Sequence, residues 1–320
     1  MVTMATKRRL KKPIKIVLTL ILVFAILIAL LAGGLYAFGM LKIVPDRSDS
    51  EYEYRDDRIN VLIVGTDQGA ADEHGRADSI MVANVDLENK VINFLSFPRD
   101  SRVDIPGYGY DKINHSFAYG GIDLTKETVE DLLEVPIDYY AITNFEGFEN
   151  IVKILGGVDM YVEKDMSAHT YYGDIELTEG YQHLDPEQAL GYVRYRYDAL
   201  GDVARAGRQQ QFMKAVFEEA MKTENLIKLP ALLGEISSFV ETDFTTAQLL
   251  YLGFSFRGIQ SSTDIHTAVP DLYFETIGGV SYVILEDDSV EELVDLMFID
   301  DYDPYYWEAL AAEEAESDNN

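Results

Sequence analysis

The stretch YVRYRYDALGDVARAGRQQQF, from Tyr192 to Phe212, holds Arg194, Arg196, Arg205 and Arg208 in a chain of 320 residues with 56 acidic groups and a formal charge of -30. A guanidinium presents a planar fork of donors that matches phosphate oxygens and keeps its charge at any ordinary pH. Converging arginines make a polyanion site, whereas dispersed ones pair with nearby acids as solvated salt bridges worth about 0 to 1 kcal/mol each. Two further stretches repeat the theme: Arg76 in GRADSIMVANVD, and Arg99 and Arg102 around Asp100 in SFPRDSRV. Asp67 closes VLIVGTD, and Asp78 opens the next β-rich run. Carboxylates at neighbouring strand ends can hold a hard divalent cation such as magnesium, together with water and phosphate oxygens. The bland alternatives are turn aspartates at 67 and 78 and a rim salt-bridge cluster at 99–102.

Other chemistry is poorly supplied. The chain has no cysteine, which removes disulfides, thiol nucleophiles and thiolate metal sites. His74, His115, His169, His183 and His266 show no metal-ligand spacing and read as surface or polar-network residues. The glycine pairs lack the Lys-Ser/Thr ending of a phosphate-binding loop. A pI of 4.3 argues against general affinity for nucleic acid or an anionic membrane surface.

The elements that must carry these residues are legible as a pattern. INVLIVG, SIMVANVD and VINFLSFP are short β-rich runs with few polar interruptions, as expected of strands buried on both faces. DLTKETVEDLLEV has a helical apolar face, with Thr125 or Asp123 as cap. YYAITNF, EGFENIVKILGG and VDMYVE then read as strand, helix and strand. HLDPEQALGYV carries Asp185 as cap and Pro186 at the first helical position. Arg194 and Arg196 fall either on the last turn of that helix or on extended chain beyond it. RAGRQQQFMKAVFEEAMK is a long helix with Arg205, Arg208, Gln209 and Phe212 on one face. Alternating strands and helices imply an α/β fold, a sheet with helices on its faces. Three strands would deliver Asp67, Asp78, Arg99 and Arg102 to sheet ends, where open α/β sheets bind ligands.

The amino terminus predicts a membrane anchor. KRRLKKPIK (Lys7 to Lys15) carries six cations, and the 23 residues from Ile16 to Phe38 carry no charge. A helix of that length reaches roughly 34 Å, enough for a bilayer core of about 30 Å. Cations before the span place the amino terminus in the cytoplasm and the rest outside. The segment exceeds a signal-peptide core and lacks an Ala-x-Ala site, so an uncleaved anchor is expected. With six of the 26 basic residues ahead of the span, the exterior carries 20 cations against 56 anions. The expected layout is a basic tail (1–15), an anchor (16–38), a stalk (39–57), a catalytic domain (58–300) and an acidic disordered tail (301–320).

In order along the chain, VGTD, RADSIMVANVD, SFPRDSRVDIPG, KINHSFAYGG, NFEGFENIVKILGGVD and ALGYVRYRYDALGDVARAGRQQQFM closely resemble the LytR-CpsA-Psr family of cell-wall enzymes. The likeness covers about Asp56 to Phe298. It implies an extracytoplasmic domain, an α-β-α sandwich around a central mixed, mostly buried sheet, that takes a glycopolymer from a polyprenyl-pyrophosphate carrier and attaches it to peptidoglycan through a phosphodiester. Magnesium is the implied cofactor, with Asp67 and Asp78 as its carboxylates. Arg76, Arg99, Arg194, Arg196, Arg205 and Gln209 match pyrophosphate-holding positions, with Lys112 a further cation there and Arg102 and Arg208 as neighbours. Asp100, beside Arg99, is the candidate to orient or deprotonate an incoming sugar hydroxyl, so Arg99, Asp100 and Arg102 form the expected catalytic group. The family also implies an isoprenoid groove through the core, for which LLYLGFSF and FVETDF are candidates beside ordinary core packing. Two alternatives stay open: hydrolysis of the lipid-linked pyrophosphate at the same site, and a non-catalytic module that binds lipid carriers. Phosphoryl transfer suits such a site, because positioned cations stabilise charge growing on phosphate oxygens.

Overall fold

Three consecutive apolar runs make the centre of the fold. In the computed structural model, which describes residues 43–66, 75–170, 173–197, 202–260, 263–304 and 306–307, they form β1 (Arg58–Thr66), β2 (Ala77–Asp86) and β3 (Val91–Phe97). Successive strands pair antiparallel, and all seven residues of β3 are buried. Next come β4 (Arg102–Ile105) and β5 (Gly109–Lys112), a hairpin, then α1 (Asn114–Leu133), β6 (Tyr139–Asn144), α2 (Phe145–Leu155) and β7 (Val158–Val162). The chain continues through β8 (Met166–Thr170), β9 (Gly173–Leu177), β10 (Gly180–Leu184), α3 (Pro186–Arg194), α4 (Asp202–Met221) and α5 (Thr223–Ile236). Last are β11 (Val240–Thr242), α6 (Thr246–Ser255), β12 (Ile265–Ala268), β13 (Leu272–Ile277), β14 (Val280–Leu285) and α7 (Asp287–Val294), closed by a π turn over Asp295–Ile299.

The main sheet has the order β11-β6-β1-β2-β3-β12. It is mixed: β6 runs parallel to β1 and β12 parallel to β3, while β11 is antiparallel to β6. Both faces are covered, because alternate residues of each strand enter different cores. Leu62, Val64, Ile80, Val82 and Leu95 pack with Val129 and Leu133 of α1 and with Met297 and Phe298. Ile59, Val61, Met81, Ala83 and Phe94 pack with Tyr251 of α6 and with Met213 and Phe217 of α4. A third core joins α2, β7, β8, β9, α3 and α4 around Val158, Tyr192 and Phe212. LLYLGFSF contributes the buried Tyr251 and Phe256, and Phe244 stacks on Tyr139 at 4.0 Å, so both candidate groove stretches take part in core packing.

Sheet register is fixed by buried amides. Asn60, Asn84 and Asn93 lie opposite one another on β1, β2 and β3. Asn84 Nδ2 donates to Asn60 Oδ1 at 2.9 Å, Asn60 Nδ2 to the Pro136 carbonyl at 2.8 Å, and Asn93 Nδ2 to the Met297 carbonyl at 3.1 Å. A slip of one residue would bury these amides without partners, which is costly.

Two segments at the margins differ from expectation. The stretch read as a stalk is docked from Ile43 onward: Ile43 is 1% exposed, and its carbonyl accepts a hydrogen bond from Tyr139 at 2.7 Å. Arg47 Nε donates to Asp138 Oδ1 at 2.7 Å, with both side chains almost fully buried, so a carboxylate inside the fold holds the segment down. Fold-forming residues also continue past Asp300: Trp307 is buried and its ring stacks on His266 at 4.1 Å and 10°. His266 is thus buried rather than on the surface, and of the two expected settings it takes the polar-network one, with Tyr302 Oη 3.5 Å from its Nε2. The expected anchor, Ile16 to Phe38, lies outside the described residues, among which no helix is long and apolar enough to cross a membrane.

Candidate functional site

Three strands of the main sheet end on the same side, and a fourth begins there. Thr66, the last residue of β1, faces Ala77 at the start of β2 and Asn144 at the end of β6, and Phe97 ends β3 beside Ile80. Neighbouring strands lie about 4.8 Å apart, so this edge spans roughly 15 Å. Asp67 follows Thr66 but lies outside the described residues.

Asp78 owes its position to an irregularity. The register passes from Gly65↔Ser79 to Thr66↔Ala77, which leaves Asp78 as an extra residue on β2. A bulge of this kind re-aims a side chain and often lies next to a functional site. Asp78 Oδ1 accepts from Arg99 Nη1 at 2.6 Å, with both side chains about one quarter exposed. Asp100 Oδ1 accepts from Lys112 Nζ at 3.0 Å, and the Lys112 ammonium lies 5.8 Å from the Tyr282 ring centre. The turn carrying them is pinned by backbone bonds: Val283 N–H donates to the Asp100 carbonyl at 3.0 Å, and Ile113 N–H to that of Ser101 at 2.8 Å.

The second set of cations arrives over the end of β6. Asn144 caps α2, its side chain accepting from Gly147 N–H at 2.8 Å, and Phe145 follows. The Arg194 guanidinium, on the last residue of α3, lies 4.7 Å from the Phe145 ring centre. Asp185 caps α3 in a full capping box with Gln188, with Pro186 behind it, which fixes the register that puts Arg194 at its end. Tyr195 leaves helical geometry (φ -59°, ψ 128°), so the open choice resolves as Arg194 on the last turn and an exposed Arg196 on extended chain.

Arg205, Arg208 and Gln209 lie on α4 as expected, but the arginines differ in setting from Arg196. Arg205 is 7% and Arg208 3% exposed. Arg208 Nη2 donates to the Tyr195 carbonyl at 2.6 Å and Nη1 to Glu163 Oε1 at 3.3 Å. It therefore braces the residue between Arg194 and Arg196, a positioning role that sequence reasoning did not give it. Arg102 also sits apart: its guanidinium lies 4.2 Å over the Tyr110 ring and edges a groove of about 590 Å³ between α1 and α7. Arg76 is exposed just before β2, close enough to Tyr119 for its charge to bear on that hydroxyl. The Asp111–His115–Tyr119 network, which joins β5 to α1, was missed, although its i, i+4 and i+8 spacing is visible in DKINHSFAY.

Asp78 offers hard carboxylate oxygen, but it is already paired with Arg99, and no group of three His, Asp or Glu side chains suited to a metal occurs among the described residues. Such a donor set fits magnesium when phosphate oxygens and water complete the shell.

An α/β domain that gathers arginines, a lysine and acidic groups at one end of its sheet carries there the kind of donors that an anionic ligand needs. The family model of LytR-CpsA-Psr proteins matches residues 42–298, and the chain belongs to that family. It is 37% identical over 212 residues to Staphylococcus aureus regulatory protein MsrR, covering 66% of this chain and 63% of that protein, so it spans less than two thirds of that relative. It is 30% identical to the Bacillus mycoides polyisoprenyl-teichoic acid–peptidoglycan teichoic acid transferase TagU, over 83% of this chain and 91% of that one. Among solved structures, Bacillus subtilis TagV superposes with a TM-score of 0.69 at 29% identity, covering 76% of this chain and 96% of that one. TagT with bound octaprenyl pyrophosphate superposes at 0.61 with 28% identity, covering 77% and 90%.

Proposed function

We propose that the chain is an extracytoplasmic phosphotransferase that moves a glycopolymer from a polyprenyl-pyrophosphate carrier to peptidoglycan, anchored to the membrane by Ile16–Phe38. The observation that carries this reading is the convergence of Asp78, Arg99, Asp100, Lys112 and Arg194 at one sheet end. The pyrophosphate bound by TagT and the activity named for TagU support it. In the reaction, an acceptor sugar oxygen bonds to the phosphorus that carries the glycopolymer. The bond from that phosphorus to the bridging oxygen breaks, and polyprenyl phosphate leaves with the bridging oxygen. Asp100 receives the proton of the attacking hydroxyl. Arg99, Arg194 and Arg196, with Arg76 and Arg205 beside them, hold phosphate oxygens and meet the charge that grows on them. Asp67 and Asp78 would hold magnesium, which when bound adds further charge stabilisation to the same oxygens.

Equilibrium binding of octaprenyl pyrophosphate to the full chain in detergent tests the site. A charge-assisted bond lost to phosphate costs about 1.5 to 3 kcal/mol, so Arg99→Ala and Arg194→Ala are each expected to weaken binding roughly 10- to 100-fold. Unchanged affinity in both variants would move the pyrophosphate elsewhere. The regulatory name of MsrR favours a second reading, carrier binding without transfer, which predicts the same binding losses and no product.

A further inference from the structure

Beside the Asp100 edge, the hairpin β4–β5 and the first half of α1 hold aromatic rings out to water. Tyr108 is 59% and Tyr119 42% exposed, and their rings stack at 4.5 Å and 16°. Each ring gives one face to the other, the His115 ring lies 5.7 Å from that of Tyr119, and Tyr108 is the more exposed of the pair. The pair is not a loose surface contact. Tyr119 Oη donates to Asp111 Oδ2 at 2.7 Å, His115 Nδ1 meets the same oxygen at 2.8 Å, and Lys112 N–H donates to Asp111 Oδ1 at 2.8 Å. The backbone enforces the arrangement: α1 kinks directly after Tyr119, where Gly121 adopts φ 64° and a Cβ on Gly120 would stand 2.5 Å from that of Leu124. Through Lys112 the network is tied to Asp100 at 3.0 Å.

From this juxtaposition we infer that Tyr108, Tyr119 and Asp111 form an acceptor subsite that takes a sugar ring of the peptidoglycan glycan strand and leads its hydroxyl to Asp100. The assignment rests on the transferase reading of the neighbouring edge. A pyranose presents an apolar C–H face and a rim of hydroxyls, and a rigid tyrosine face beside a carboxylate offers the complement of both. Asp111 uses three of its roughly four acceptor positions within the protein, which leaves one for a sugar hydroxyl. Burial works against its charge, but hydrogen bonds from Tyr119 and His115 hold its carboxyl below the usual range, so it remains an acceptor at neutral pH. Fixing the rings in advance lowers the entropic cost of binding. An anionic lipid surface is a poor occupant, because Asp104 and Asp123 are exposed nearby in a chain of formal charge -30.

The test uses the full chain in detergent, with a soluble peptidoglycan glycan oligomer free of attached polymer as the probe and calorimetry as the readout. The chain is expected to bind it, and Tyr108→Ala and Tyr119→Ala each to raise the Kd roughly tenfold, as for other aromatic anchors. Tyr119→Phe keeps the ring and most of the affinity. Octaprenyl pyrophosphate binding, measured on the same samples, stays unchanged and reports an intact fold. Equal glycan affinity in the double alanine variant, or no glycan binding by a chain that binds the lipid, overturns the subsite and leaves the transferase reading standing. Tyrosine-dependent binding to phosphatidylglycerol vesicles but not to glycan overturns the saccharide assignment. Tyrosine-dependent glycan binding by a chain that neither binds nor transfers the lipid-linked substrate supports the subsite and sinks the function proposed for the edge beside it.

Discussion

An arginine in so acidic a chain is best understood by what its guanidinium meets. Arg47 and Arg58 face buried carboxylates, Asp138 and Asp86, and hold the fold together. Arg99 is a quarter exposed and pairs with Asp78, itself a quarter exposed, so its guanidinium can be reached from solvent at the sheet edge. Clustering in sequence singled out these stretches but could not separate Arg99 from Arg208, because burial against Glu163 and the Tyr195 carbonyl depends on chain 45 and 13 residues away. The same limit applied to His266, whose partner Trp307 lies in a tail that reads as acidic and aperiodic. Burial first, with the nearby Lys214 charge adding to it, pushes the His266 imidazole down to about 4. The folded state therefore holds it neutral, whereas the unfolded chain takes up a proton near 6.5. Its contribution to stability is complete above about pH 6.5 and is lost as pH falls from there towards 4. Thermal unfolding of the wild type and His266→Phe at pH 7.5 and 5 checks this: the wild type is expected to lose more Tm than the variant on acidification, and parallel losses would contradict it.

Elements were legible where a local rule writes them. The uninterrupted apolar runs of β1, β2 and β3 became buried strands, and Asp185-Pro186 became a capping box that sets the end of α3 and hence Arg194. The bulge at Asp78 was not legible, since a register change belongs to two strands at once and neither sequence shows it. The kink in α1 was likewise hidden, although Gly120-Gly121 marks its place. The docked segment before β1 was missed because its anchor, Asp138, lies 91 residues further on. That pairing makes a strong prediction. Removing one partner of a buried ion pair costs about 3 to 5 kcal/mol, because the other charge stays buried alone. Arg47→Met is therefore expected to destabilise the chain by about that amount in urea unfolding, and Arg47→Met with Asp138→Asn to recover a large part of it. A single variant as stable as the wild type would mean that the segment does not hold to the domain in solution.

At the scale of the whole molecule, both faces of the mixed sheet are covered by helices, and the end where β1, β3 and β6 finish and β2 begins is left for the candidate site. With a formal charge of -30 the chain as a whole repels a polyanionic headgroup, and the arginines of that edge counter this locally. The central claim is that this edge transfers a phosphoryl-linked polymer, and one measurement tests it most directly. The full chain in detergent is incubated with a polyprenyl-pyrophosphate saccharide, a peptidoglycan oligomer and magnesium, and the products are read by mass spectrometry. The account predicts a phosphodiester-linked conjugate and an equal amount of polyprenyl phosphate, both reduced at least about 100-fold in Asp78→Ala and Arg99→Ala, as when charge-stabilising groups are removed from other active sites. Saccharide phosphate released to water without conjugate, or bound lipid left intact by the wild-type chain, would contradict it.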